Sequence, residues 1–222
     1  MKLKGNIFEL NRCETVYLRV IEPYSSEKNP KVHRLETIIR RIFCKEVLIL
    51  TVLQECFLFL QSMRKIKNIH LNDDPEIYQC FGCSPHNEFG LQLEFWDDGE
   101  ELVSYWNPRP ILQSYPKVVH GGIQSTLLDE IAGWVVYVKC GTVGLTAEMK
   151  VRFRQPLYID QGEITIRARL AEQNKRMATI HARLINSSGK TCAEAEIKYF
   201  LLPEAEAREK YHYPGVDAFY ET

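Results

Sequence analysis

Between residues 88 and 201 the hydrophobic positions change period twice, and each change predicts an element. Leu91, Leu93 and Phe95 alternate with Gln92, Glu94 and Trp96, Asp97-Asp98-Gly99-Glu100 supplies a turn, and Leu102, Val103, Tyr105 and Trp106 bring the chain back. That is the pattern of a β-hairpin. From Ile123 the spacing becomes three and four, through Leu127, Leu128, Ile131, Ala132, Val135 and Val138, which predicts an amphipathic helix with one core-facing stripe. Lys139-Cys140-Gly141 is its stop, because glycine accepts a left-handed cap and a cation suits the C-terminal dipole. Period two then returns over 146–154, 163–170, 178–185 and 191–201, and the connections carry Gln155-Pro156, Asp160-Gln161-Gly162, Gln173-Asn174-Lys175 and Asn186-Ser187-Ser188-Gly189-Lys190. Turn residues at such spacing mark an antiparallel meander. Hairpin, helix and meander together predict an α+β fold with one long helix against one curved sheet. A sheet of this kind has open edges, and pairing with a second copy closes one of them, so a homodimer is expected.

Before residue 63 the character of the chain is different. Residues 31–64 read as one long helix dense in apolar positions from Leu35 to Leu60, making an N-terminal helical extension. A membrane span needs about 20 predominantly apolar residues, whereas Lys45, Glu46, Gln54 and Glu55 interrupt this run. The expectation is an amphipathic helix that packs on the rest of the chain, on a partner or on a membrane surface, rather than a span. Met63 is an alternative natural start, which would leave residues 1–62 outside the native protein. The expected organisation is an extension over 1–76, a domain over 77–203 and a C-terminal tail over 204–222.

Composition narrows the function classes. The chain has 222 residues, 45% of them hydrophobic, and a formal net charge of −1. That balance favours neither nucleic acid nor an anionic membrane. Seven dispersed cysteines, an odd number, and a Lys-containing start without a convincing secretory signal fit reduced thiols in a cytoplasm. Cys80-x-x-Cys83 with His86 begins a zinc spacing, but a structural site takes four ligands and no second Cys or His pair stands nearby, so no metal is expected. No Gly-x-Ser-x-Gly elbow, P-loop or dinucleotide fingerprint is present, and no cofactor is expected.

The chemistry concentrates at His120-Gly121-Gly122, where a glycine pair opens the helix and two acids, Asp129 and Glu130, follow within it. A helix N-terminus presents unpaired N–H groups and a partial positive charge, and glycines let a ligand approach that backbone. Gly122, Thr126, Asp129 and Gly133 form a second stripe made of small residues and one acid, so something approaches closely there. Arg152, Arg154, Arg167, Arg169, Lys175, Arg176 and Arg183 cluster in the strand region and suit either a solvated outer sheet face or anion binding.

These residues resemble a known family. His120-Gly121-Gly122 followed by Leu127-Leu128-Asp129-Glu130, preceded by Tyr115-Pro116-Lys117-Val118-Val119 and by Cys80-Phe81-Gly82-Cys83, is similar to the hot-dog-fold acyl-CoA thioesterases of the PaaI type. Met149 to Leu157, with its Pro156, resembles the family strand that ends in a proline. The resemblance covers roughly residues 78–202. It implies a hot-dog fold, with the curved antiparallel sheet wrapped around the long helix, and hydrolysis of an acyl-CoA thioester by a homodimer or a dimer of dimers. It assigns general base or nucleophile to Asp129, the oxyanion amide to Gly121, loop shaping to His120 and water positioning to Thr146. Glu130 is a reserve acid or a structural one. Gly122 and Ser114 belong to the substrate loop, Ser114 standing where relatives carry Asn or Gly. Arg154 or Arg176 is expected to touch the nucleotide.

Elementary geometry constrains that assignment. At 1.5 Å rise per residue, Gly121 and Asp129 on one helix lie roughly 12 Å apart, while oxyanion donor and base must both come within about 3 Å of the reacting group or its water. Gly121 of one copy paired with Asp129 of another resolves the conflict. The alternative is a hot-dog module that holds acyl-CoA or another acyl ligand without turning it over.

Overall fold

The computed structural model describes residues 63–70, 74 and 78–220. The chain divides into two units, Met1–Gln61 and Ser62–Thr222, and the described residues belong to the second. The helix expected over 31–64 lies outside them except for its last two positions, and Arg64 is the first residue of a strand. Seven strands form one antiparallel sheet: β1 Arg64–Ile66, β2 Phe95–Asp97, β3 Leu102–Trp106, β4 Gly144–Phe153, β5 Ile164–Gln173, β6 Met177–Ile185 and β7 Thr191–Leu201. Their spatial order is β1-β2-β3-β5-β6-β7-β4. Helix α1, Gly121–Val135, runs across the concave side, and α2, Glu204–Tyr211, follows the sheet. This is the hot-dog fold.

The core forms where the two periodicities meet. Leu127, Leu128, Ile131, Ala132 and Val135 of the predicted stripe are all fully buried. They face the inward positions Ile164, Ile166, Ala178, Ile180, Leu184 and Ile197. Ala168, Ala182 and Ala195 stand in register across β5, β6 and β7, and that row of short side chains gives the helix room to sit close. Register shifts at Thr146/Glu148, Leu170/Glu172 and Leu184/Ile185 bend the strands around it. The helix closes with a π-turn over Val136–Cys140, and Gly141 at φ 69° provides the left-handed cap that its position predicted.

Two features differ from the sequence reading. The first hairpin strand is short: Leu91 and Leu93 are buried, yet Gln92 takes a φ of 52°, and this stretch hydrogen-bonds to the carbonyls of Phe81 and Gly82 instead of joining the ladder. Second, β4 is not the neighbour of β5. It lies beyond β7 at the sheet edge, and the chain then returns over the start of α1, where Val119 N–H donates to the Leu157 carbonyl at 2.9 Å. An alternating strand pattern is compatible with either placement, so a meander over β5, β6 and β7 with β4 swung outside it was invisible to periodicity alone.

The residues after 203 pack against the core. Ala207, Tyr213 and Phe219 are buried, Phe219 sits against Trp134 and Tyr137, and its carbonyl accepts from Lys67 N–H at 2.8 Å. No described helix is long and apolar enough to cross a membrane.

Candidate active site

The N-terminus of α1 is built by His120. Its Nδ1 accepts the Gly122 N–H at 2.9 Å, which makes the imidazole the helix N-cap. A Cβ on Gly122 would lie 3.1 Å from that nitrogen, a tight contact to which the imidazole would have to yield. The Gly122 amide is therefore occupied, whereas Gly121, at the first helical position, has no intrahelical acceptor for its N–H. Ser114 is exposed in the preceding loop and its N–H closes a turn onto Val118.

Two turns further on, Asp129 faces the sheet edge. Thr146 of β4 donates to its Oδ1 at 3.0 Å and Tyr199 of β7 donates to the same oxygen at 2.7 Å. Thr146 and Tyr199 are paired in register, immediately before the β4 bulge, so two adjacent strands aim two hydroxyls at one carboxylate oxygen. Tyr199 also reaches the Asp129 carbonyl at 2.9 Å, and burial next to this carboxylate pushes its phenol well above the usual range. Oδ2 is engaged by no described side chain and is left for a proton or an electrophile. Gly133 continues the small-residue stripe toward Tyr199, and Phe153 lies against Gly121.

Tyr199 was missed in the sequence reading, although a signal existed. It is the one large polar-tipped residue among the inward positions Ala193, Ala195 and Ile197 of its strand, and a buried tyrosine hydroxyl requires a partner.

Glu130 points elsewhere. Trp134 Nε1 donates to its Oε1 at 3.2 Å, and the Cys80 sulfur lies 3.7 Å from both carboxylate oxygens. Burial, with Cys80 adding to it, pushes this carboxyl up to about 7. The hydrogen bond with Cys83, opposed by burial and helped by the Cys83 and Gly82 amides, brings the Cys80 thiol down to about 5.

Three members of the basic cluster are held in ion pairs. Arg167 and Arg183 hold Glu101 at 2.5 and 2.7 Å, and Arg154 pairs with Glu194. Burial alone raises the Glu101 carboxyl, but the Arg183 and Arg167 hydrogen bonds outweigh it and hold the group below the usual range. A shallow depression of about 590 Å³ is lined by Arg152, Arg169, His181, Glu194 and Glu196. It is open, its lining also includes Lys150 and Arg183 so that cations outnumber the two carboxylates, and neither Asp129 nor Gly121 lines it. Arg154 follows the end of β4, whereas the Arg176 carbonyl accepts from Leu201, the partner of Gly144 at the other end. Ten residues of strand separate these ends by roughly 30 Å, so within one protomer only one of the two can meet a given nucleotide.

Comparison with known proteins places the central part of the chain. Residues 116–193 match the family model described as thioesterase superfamily. Among solved structures, the PaaI protein of E. coli, from the phenylacetic acid degradation operon, is similar at 18% identity over 51% of this chain and 82% of that one, with a TM-score of 0.47. A hypothetical thioesterase of Streptococcus pneumoniae, crystallised with coenzyme A, is similar at 22% identity over 47% and 80%, with a TM-score of 0.45. No curated protein matches the chain.

Proposed function

On the premise that residues 116–193 belong to the thioesterase superfamily, we propose that this chain hydrolyses acyl-CoA thioesters through Asp129. The observation that carries the reading is the Asp129 carboxylate, anchored through one oxygen by Thr146 and Tyr199 and unengaged at the other. A carboxylate held in this way cannot rotate away, and its second oxygen is positioned to take a proton from water. That water attacks the thioester carbonyl, and the negative charge that develops on the carbonyl oxygen is met by the Gly121 amide at the helix N-terminus. Collapse of the tetrahedral intermediate expels the CoA thiolate, which takes up the proton, leaving a carboxylic acid and CoA thiol. Thr146, whose hydroxyl hydrogen is directed at Asp129, keeps lone pairs with which to orient the water.

Amide and base lie eight residues apart on one helix, which by helix rise is about 12 Å, so the site requires two copies. Strand β4, at the sheet edge among the described residues, supports this arrangement, since it carries Thr146 next to Asp129 at one end and Phe153 against Gly121 at the other. Antiparallel pairing of β4 with its twofold mate brings the two ends of the strand together.

Asp129→Asn should lower kcat/KM on a panel of acyl-CoAs by on the order of a thousandfold, the scale of a lost general base, with the melting transition retained. Mixing that variant with an inactive Gly121→Val chain after joint refolding should restore about a quarter of wild-type activity, because half of randomly assorted twofold dimers carry one intact site. Coenzyme A binding without turnover of any thioester would favour the non-catalytic alternative. Full activity in a strictly monomeric sample would remove the shared-site proposal.

A further inference from the structure

Glu130 has no part in the hydrolytic proposal, yet the loop above it aims two thiols at its carboxylate. Cys80 and Cys83 flank a tight turn at Gly82, where a Cβ would lie 2.2 Å from the Glu130 carboxylate and would force that side chain to move. The two sulfurs and a Glu130 oxygen lie within 4.8 Å of one another. The separation of 3.7 Å between Cys80 Sγ and each carboxylate oxygen matches the sulfur–oxygen edge of a tetrahedral zinc centre, roughly 3.6 Å for bonds of about 2.3 and 2.1 Å.

The surroundings are arranged as an outer shell. Trp134 Nε1 fixes one carboxylate oxygen at 3.2 Å, the Tyr78 hydroxyl lies 3.0 Å from Cys83 Sγ, and Asn68 Nδ2 holds the Cys83 carbonyl at 3.0 Å. Such groups orient ligands and tune a metal. The carboxylate's hydrogen-bonding partners here are thiols and an indole, none of them cationic. A buried carboxylate in that company is costly unless it is protonated or meets a positive charge. A Cys80–Cys83 disulfide uses the sulfurs but leaves the carboxylate facing two neutral atoms, whereas a divalent cation satisfies all three groups at once.

We propose that Cys80, Cys83 and Glu130 form a zinc site, with water completing the tetrahedron. Metal binding displaces the thiol protons and ties the 78–93 loop to α1 at the residue beside Asp129. The two-cysteine spacing was visible in the sequence, but the third donor comes from a helix 47 residues later, so no local ligand pair announced it.

The test uses the full chain, purified reduced with added zinc and then desalted. Elemental analysis should find stoichiometric zinc, and replacement by cobalt should give a thiolate-to-metal charge-transfer band. Cys80→Ser and Cys83→Ser should abolish that band. Glu130→Gln should weaken zinc binding by at least about tenfold, as loss of even an outer-shell partner does. Cys140→Ser and Asp129→Asn should retain full zinc, the second separating this inference from the hydrolytic one. Wild-type protein with reduced Cys80 and Cys83 that takes up neither zinc nor cobalt overturns the proposal, as does zinc retained unchanged in Cys80→Ser, or a Cys80–Cys83 disulfide that on reduction gives a metal-free protein.

Discussion

Asp129 and Glu130 are adjacent acids on one helix whose surroundings have nothing in common. Asp129 belongs to the small-residue stripe beside the β4 edge, with hydroxyl donors on one oxygen and the other engaged by no described side chain. Glu130, about 100° further around, is covered by the Trp134 indole and two thiols, and burial raises its carboxyl to about 7. The contrast shows that a carboxylate's task is set by what the fold lays over each face of a helix. The half-open acid can exchange protons with water and substrate. The covered one holds its proton well past the usual carboxylate range and is suited to meeting a cation.

The largest expected break in this comparison is kinetic. Asp129→Asn removes hydrolysis, while Glu130→Gln leaves the zinc-free enzyme's kcat near wild type. A comparable loss in both variants would mean that the two acids share one site. Next comes Tyr199→Phe, which deletes one of the two anchors of Asp129. Steady-state kinetics should show kcat falling about tenfold, and denaturation should show a loss of about 1.5 to 3 kcal/mol, the range for hydrogen bonds to charged groups.

A smaller effect concerns pH. In chelator-treated protein the Glu130 carboxyl titrates at about 7 when folded against 4.5 as a free side chain. The unfolded chain therefore releases its proton first, and this group costs stability progressively as pH rises between those values. Urea denaturation across that window should show a declining component in the wild type that Glu130→Gln lacks. The smallest expected change is in the cap: His120→Ala should lower stability by about 1 kcal/mol through loss of the Gly122 contact. A much larger kinetic than thermodynamic loss in that variant would assign His120 to the chemistry as well.

The helix was legible because its stripe from Ile123 to Val135 is carried by local spacing, and so were its stop at Gly141 and the four strands after it. What escaped was whatever depends on distant chain segments. Glu130 reads as a surface or structural acid on a helical wheel, and the loop at 80–83 that covers it comes from a distant segment. Tyr199 becomes a partner of Asp129 only once β4 lies beside β7. Asp129 and Thr146 did emerge from the sequence, through the resemblance, and the fold brings them together at 3.0 Å. Of the basic cluster that suited anion binding, Arg154, Arg167 and Arg183 proved to be paired, because Glu101 and Glu194 reach them from elsewhere in the chain.

The two ends of the sheet are unequal among the described residues: β1 offers three residues and β4 offers ten. A ladder that short is a poor template for a newcomer, while the long one is used up once two copies join across a rotation axis. If two copies join in this way, growth by strand addition halts at a pair, and the inequality that would complete a reaction centre would also guard the chain against polymerising into fibres.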